Sequence, residues 1–157
     1  MSRSVPVLSG HQRSPNIVVL LRETFMALND IVIVRLAEQG HDAVRPAHAA
    51  VFQYLDDTGT TVSVLAQRAR MTKQGMAQLV QHLDAHGYVA RIADPSDRRA
   101  KLVTPTDRGL QVFAIAQGLV PEIEDLVSSI IGEERMAAMR DDLTVILHRL
   151  SPSEEQG

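Results

Sequence analysis

Cysteine is missing from all 157 positions. Disulfides, thiolate metal sites and a cysteine redox switch are therefore excluded, and the composition is compatible with the cytoplasm. Tryptophan is also absent and aromatic side chains make up only 3%, so a core has to be assembled from Leu, Val, Ile, Ala and Met. Apolar runs such as Ile17 to Leu21 are far shorter than the roughly 20 residues that a membrane helix needs. The N-terminal stretch carries Arg3 and Arg13 but no continuous apolar segment, so no secretory signal is read and a cytoplasmic location, away from membranes, is expected. There is no HExxH pair, no glycine-rich phosphate loop and no nucleophile–base constellation. The chain is accordingly expected not to be an enzyme and to need no cofactor.

What remains is an ordinary globular composition, 45% apolar and 22% charged. The net charge is −3, the wrong sign for a partner made of phosphates, but the distribution is uneven. Between Thr61 and Leu110 stand eight Lys or Arg against four Asp, a local balance of +4 that leaves −7 for the rest. A basic segment inside an acidic chain is either a solvated face or the footprint of a nucleic acid. Charge alone does not separate these readings.

The apolar spacing separates the elements. Residues 1–14 mix Ser, Pro, Gly and Arg without period and read as a flexible arm. From Pro15, Ile17, Leu20, Leu21, Met26, Leu28, Ile31 and Val32 recur at helical steps and predict one long helix with a single apolar stripe, ending at Gly40. A second helix opens near Pro46 and buries Ala49, Phe52 and Leu55. After the turn residues Asp56 to Gly59, Thr60 or Thr61 caps a short third helix with Val62, Leu65, Ala66 and Ala69 inward. Thr72 caps a fourth, which ends at Gly87 and buries Met76, Leu79, Val80 and Leu83.

The period then changes to two. Tyr88–Ile92 and Ala100–Val103 read as strands around the polar loop Asp94 to Arg99. Thr104-Pro105-Thr106-Asp107 reads as a capping-box variant with proline in the first helical turn. Helix continues to about Ile131, with Pro121 kinking or dividing it, and Gly132 precedes a last helix striped by Met136, Met139, Leu143, Ile146, Leu147 and Leu150. The expected fold is mainly α with a small β-hairpin: a winged helix-turn-helix over 45–109, with 15–42 and 110–152 as dimerisation helices.

The chemistry of a base-reading helix is present on the fourth helix. Its outward face shows Lys73, Gln74, Ala77, Gln78 and Gln81. Glutamine can donate and accept together against adenine, and an alanine methyl can pack on thymine. Thr72 and Lys73, beside the free N–H groups of the first turn, suit a phosphate, and Ser63 on the preceding helix joins this set. In the hairpin loop, Arg98 and Arg99 stand at or near the tip and Lys101 on the return strand, and a narrow minor groove attracts inserted arginine. Asp97 is expected to pair with an Arg and aim its guanidinium.

The run from Asp94 through Arg98-Arg99 to Thr104-Pro-Thr-Asp-Arg-Gly109 resembles the wing signature of the MarR (multiple antibiotic resistance regulator) family. Leu65-Ala66, Met71-Thr72-Lys73-Gln74 and Leu83-Asp84-Ala85-His86-Gly87-Tyr88-Val89 resemble the family's core. The resemblance implies a homodimeric transcription factor, its first and last helices intertwined as a base, bound to a pseudo-palindromic duplex operator. It implies groove contacts from Thr72 to Gln81, a wing pair Asp97 and Arg99, and often repression relieved by a small aromatic acid. Arg22, Phe25, His48, Phe52 and Phe113 are the candidate lining for that effector, with ordinary core packing as the alternative for these residues. The six histidines are scattered; His82 and His86 share a helix face, but without further ligands no metal site is expected. The alternative function is a winged-helix module that pairs with another protein.

Overall fold

The computed structural model describes residues 16–151. The arm expected over 1–14 and the helix start at Pro15 lie outside them. The chain divides between Ala116 and Gln117 into two compact units, fewer residues falling to the second than the 110–152 expected for terminal dimerisation helices.

In the first unit, α1 (Ile17–Glu38) is capped by Asn16, whose side chain accepts from the Val19 N–H. A connector leads to a 3-10 turn (Pro46–His48) and α2 (Ala49–Tyr54), so Pro46 opens a tighter turn before the α-helix proper. Then come α3 (Val62–Arg68), α4 (Lys73–Ala85), β1 (Val89–Ala93), β2 (Lys101–Pro105) and α5 (Asp107–Gly118). The strands pair antiparallel with Val89 opposite Pro105 and Ala93 opposite Lys101. Thr60 adds a single bridge to Val103, which makes it a sheet residue and leaves Thr61 to cap α3.

Pro105 is the clearest departure from expectation. It ends β2 instead of opening the next helix. The helix start is handled by Thr106, whose hydroxyl accepts from the Gly109 N–H at 3.2 Å and donates to the Gly87 carbonyl at 2.6 Å. A proline is tolerated at the end of an edge strand, where no ladder N–H is required of it.

The core of this unit gathers Leu36, Val51, Phe52, Leu65, Met76, Val80, Leu83, Tyr88, Val89, Val103 and Val112. Only Leu36 of α1 is fully buried. Ile17, Leu20 and Leu21, on the apolar stripe of the expected dimerisation helix, and Phe25 beside them stand exposed on the single chain. In the second unit, α6 (Val120–Ile131) carries Pro121 in its first turn, so the proline divides the helical stretch and does not kink it. Gly132 at φ +93° links α6 to α7 (Glu133–Leu150), and Arg140 bridges to Glu124 at 2.8 Å. Ile130, Val145, Ile146, Leu147 and Leu150 are exposed.

Two histidines are buried in the first unit. Arg108 Nη2 donates to the Tyr88 hydroxyl (3.1 Å) and to the Gly40 carbonyl (3.3 Å), and its guanidinium lies 4.7 Å from the Tyr88 ring centroid. The Tyr88 oxygen is 3.3 Å from His41 Nδ1. With arginine donating to that oxygen, the phenol proton is directed at Nδ1, which requires a neutral imidazole. Burial, then the charge of Arg108, holds the His41 pKa below its ordinary value. His48 is pushed down to about 4, by burial first and then by His82, Arg45 and His86.

Both shifts make the folded state bind fewer protons than the unfolded chain. Their stabilisation is complete above the ordinary imidazole value and is lost as pH falls below it, for His48 until about 4. Urea unfolding at fixed protein concentration is expected to show a loss of about 2 kcal/mol from His48 alone between neutral pH and about pH 5. An unchanged urea midpoint across that range would mean that these imidazoles are not buried neutral.

Candidate nucleic-acid interface

A short turn joins α3 to α4, and its geometry comes from how α3 ends. Met71 N–H bonds to Ala66 O at 2.9 Å and Arg70 N–H to Gln67 O at 3.1 Å, the paired bonds of a Schellman stop. The stop needs one residue in the left-handed region. At the ends of α1 and α4 the same bonding places Gly40 (φ +88°) and Gly87 (φ +76°) there. After α3 the position holds Arg70 at φ +52°, and no other described non-glycine residue has positive φ. A side chain in this conformation costs roughly 1 kcal/mol relative to glycine. Arg70 contributed to the charge count of the sequence but was not singled out as a site residue; the helix-stop geometry is what draws notice to it.

Thr72 caps α4 as expected, its hydroxyl accepting from the Gly75 N–H at 3.1 Å. Met76, Val80 and Leu83 turn into the core. That rotation leaves Thr72, Lys73, Gln74, Gln78 and Gln81 exposed and Ala77 half-exposed. Ser63, on the first turn of α3, is exposed as well. The six polar side chains expected to meet a duplex from these two helices are thus all presented to solvent.

The hairpin tip is built by two aspartates. Asp94 accepts from the Ser96 N–H (2.8 Å) and hydroxyl (2.7 Å), and these bonds, the hydroxyl first, hold its pKa low. Asp97 accepts from the Arg99 backbone N–H at 3.0 Å. This corrects the expected ion pair: Asp97 fixes the backbone of Arg99 through a local Asx turn, and the guanidinium is left unengaged. Arg98, Arg99 and Lys101 are all exposed.

The eight cations of the basic segment sort into two groups. Three are tied internally: Arg68 to Asp56 (2.9 Å) and the Tyr54 carbonyl (2.8 Å), Arg91 to Asp84 (3.4 Å), and Arg108 to Tyr88 and Gly40. Among the described residues the other five, Arg70, Lys73, Arg98, Arg99 and Lys101, have no carboxylate partner. They stand on the turn before α4, on its first turn, and on the hairpin.

The model of the MarR family matches residues 44–100, which contain this turn, α4 and most of the hairpin. Over these residues the chain is similar to the MarR family. It is 27% identical over 100 residues to the transcriptional regulator HosA of Escherichia coli O111:H-, a match spanning 63% of this chain and 74% of HosA. It is 29% identical over 92 residues to the transcriptional activatory protein BadR of Rhodopseudomonas palustris, spanning 59% of this chain and 49% of BadR. Among solved structures, apo MarR from E. coli superposes with a TM-score of 0.70 at 15% identity, over 86% of this chain and 99% of that one. The S. aureus MepR–DNA complex gives 0.67 at 19% identity, over 87% and 100%. At these identities the structural matches speak for the fold.

The effector candidates meet different surroundings. Phe52 and Phe113 pack edge to face, centroids 5.3 Å apart, against the core, which is the ordinary-packing alternative for that pair. Phe25 is exposed on α1. Arg22 pairs with Glu23 at 2.6 Å. His48 is buried and its Nδ1 accepts from the Arg45 N–H at 2.9 Å, so it offers a carboxylate neither a positive charge nor a free Nδ1.

Replacing Arg70 with glycine removes the left-handed strain and adds no clash at this exposed site. Arg70→Gly is expected to raise unfolding free energy by about 0.5–1 kcal/mol, read from the denaturant midpoint at unchanged m-value. A destabilised Arg70→Gly would show that the side chain holds the turn together.

Proposed function

We propose that this chain is a sequence-specific, duplex-DNA-binding transcriptional regulator that works as a homodimer. The observation that carries the reading is the partition of cations. The five that are free of carboxylates stand on the α3–α4 turn, the start of α4 and the hairpin, and those on the other faces of the same segment are consumed by internal bonds. Helix-turn-helix and wing are the elements that reach a major groove and the neighbouring minor groove. HosA and BadR, named as regulators of transcription, and MepR, solved with DNA, support it.

In this reading Gln74, Gln78 and Gln81 face base edges and Ala77 a thymine methyl. Ser63, Thr72, Lys73 and Arg70 hold phosphates. Arg99, its backbone set by Asp97, enters the minor groove, and Arg98 and Lys101 flank it at the backbone. The apolar side chains left exposed on α1 and α7 supply the surface that a second copy covers, and a two-fold pair would place two α4 helices one DNA turn, about 34–36 Å, apart. The family resemblance extends the reading to repression relieved by a small aromatic acid. A ligand that binds the free form better weakens DNA binding by that same difference.

The test is anisotropy titration of a labelled duplex from the region upstream of the chain's own gene, at several salt concentrations. Arg98→Ala/Arg99→Ala is expected to lower affinity at least ~10-fold and to flatten the salt dependence. Gln78→Ala is expected to relax preference at one position per half-site, by about 1–3 kcal/mol. Unchanged duplex binding in the double arginine variant would refute the wing's role, and no binding by the unmodified chain would favour a protein-interaction module. Sedimentation as a monomer at micromolar concentration would remove the dimer. A panel of aromatic carboxylates and phenols, scored for thermal stabilisation together with loss of duplex binding, tests the effector.

A further inference from the structure

Three imidazoles stand in a row where α4 meets the connector between α1 and α2. His48 closes the 3-10 turn and His82 and His86 lie one turn apart on α4. The His48 and His82 rings stack with centroids 4.7 Å apart and planes 20° apart, and the His82 and His86 rings at 4.2 Å and 29°. The row runs from the buried His48 through half-buried His82 to exposed His86. The sequence placed His82 and His86 on one helix face; the structure adds His48 and turns the pair into part of a packed contact.

Each ring is also held by one hydrogen bond, and together these bonds set the protons. His48 Nδ1 accepts from the Arg45 N–H, so its own proton sits on Nε2. His82 Nε2–H donates to the Ala43 carbonyl at 2.9 Å, which ties α4 to the connector directly. His86 Nδ1–H donates to the His82 carbonyl at 2.8 Å. All three bonds are satisfied with all three rings neutral. We propose that this stack is a proton-sensitive brace: neutral, it pins the C-terminal half of α4 to the 41–48 connector, and on acidification it releases α4 and weakens DNA binding. The release rests on the geometry alone, and its effect on DNA rests on the function proposed above.

Two consequences of protonation act in the same direction. A proton on His48 Nδ1 removes the acceptor that the Arg45 N–H uses. A second charged ring in the row sets like charges less than 5 Å apart. The surrounding groups do little to absorb that charge. The connector contributes Arg45, a cation that already disfavours a charged His48, and exposed Asp42. On α4 the neighbouring carboxylate, Asp84, is engaged by Arg91. From α1, Asn29 donates to the Pro46 carbonyl at 3.4 Å, with Asp30 beside it in sequence. α2 has only Tyr54 as an ionisable residue. Burial keeps His48 neutral down to about pH 4, so the loss of that acceptor belongs to the acid end of the range.

The sign makes the proposal distinctive. Adding positive charge to a DNA-binding protein ordinarily strengthens its hold on phosphate. Weakening at lower pH is the opposite of the general electrostatic trend.

The experiment uses the full chain and His82→Gln/His86→Asn. Glutamine keeps a donor near the position of Nε2 and asparagine one near that of Nδ1, and neither titrates. Amide hydrogen exchange, corrected for intrinsic rates, is measured at about pH 7.5 and 5.5 with far-UV circular dichroism confirming that both proteins remain folded. In the unmodified chain the amides of 41–48 and 79–86 are expected to lose at least ~10-fold more protection at the lower pH than those of α3; in the variant they are expected to lose no more than α3 does. The labelled upstream duplex, at constant ionic strength, is expected to bind at least ~5-fold more weakly at the lower pH to the unmodified chain only. Equal loss of protection in both proteins, or none in either, overturns the brace. Protection lost with tighter duplex binding at the lower pH overturns its link to DNA. A duplex bound at neither pH overturns the DNA reading itself, and exchange alone then decides the brace.

Discussion

Tyr88 is where the first unit is held together, and most of its geometry follows from how that one residue is bonded. Its N–H closes α4 on the Leu83 carbonyl and its own carbonyl accepts from the Thr106 N–H, fixing where α5 begins. A Cβ on Gly109 would collide with that same carbonyl, so only glycine lets α5 approach β1 so closely. The fully buried ring puts its hydroxyl between His41 and Arg108, and Arg108 also reaches the carbonyl of Gly40 at the end of α1. One tyrosine thus joins the ends of α1 and α4 to the starts of β1 and α5. Buried polar atoms have to be paired to be tolerated, and here the pairing itself sets the angles between elements that the interface depends on.

The same economy governs charge. A basic segment inside an acidic chain could have neutralised itself through surface pairs, which contribute little to stability. Instead its cations divide by place. Arg68, Arg91 and Arg108 tie α3, β1 and α5 to their neighbours, whereas Arg70 and the hairpin arginines are kept away from carboxylates. At the hairpin the two aspartates are turned inward onto backbone and hydroxyl donors, so they shape the loop without quenching the guanidinium groups. At Arg70 the chain accepts a backbone conformation that glycine would adopt more cheaply. A strained residue whose side chain forms no bond among the described residues points to a use outside the fold.

Much of this was legible from the residues alone. The caps Thr61 and Thr72, the stop at Gly87, the division at Pro121 and the rotation of α4 that exposes Gln74, Gln78 and Gln81 all follow from local rules, because caps, breakers and helical period act within a few positions. What was not legible depends on partners elsewhere in the chain or on backbone geometry. Whether Asp97 would bond a guanidinium or a backbone N–H is a matter of loop conformation. Pro105 fitted two positions, strand end and helix start, and only the pairing with Val89 decides between them. The long stripe of α1 was read as a dimerisation surface, and most of it is exposed on one chain; period identifies an apolar face without saying what covers it. His48 looked like an anchor for an acid because imidazole can carry charge; burial and the Arg45 N–H take that role away.

In the proposed reading, contact and control lie at opposite ends of α4. The face of α4 that carries Lys73, Gln74, Ala77, Gln78 and Gln81 bonds to nothing within the chain that would couple it to pH. The histidines sit toward the other end of the helix, on its border with the connector, where they accept and donate through neutral rings. In the proposed reading the two sets are joined through the backbone of α4. A substitution among the glutamines would then alter which duplex is bound without touching the brace, and a substitution in the stack would alter how firmly the helix is held without touching what it reads.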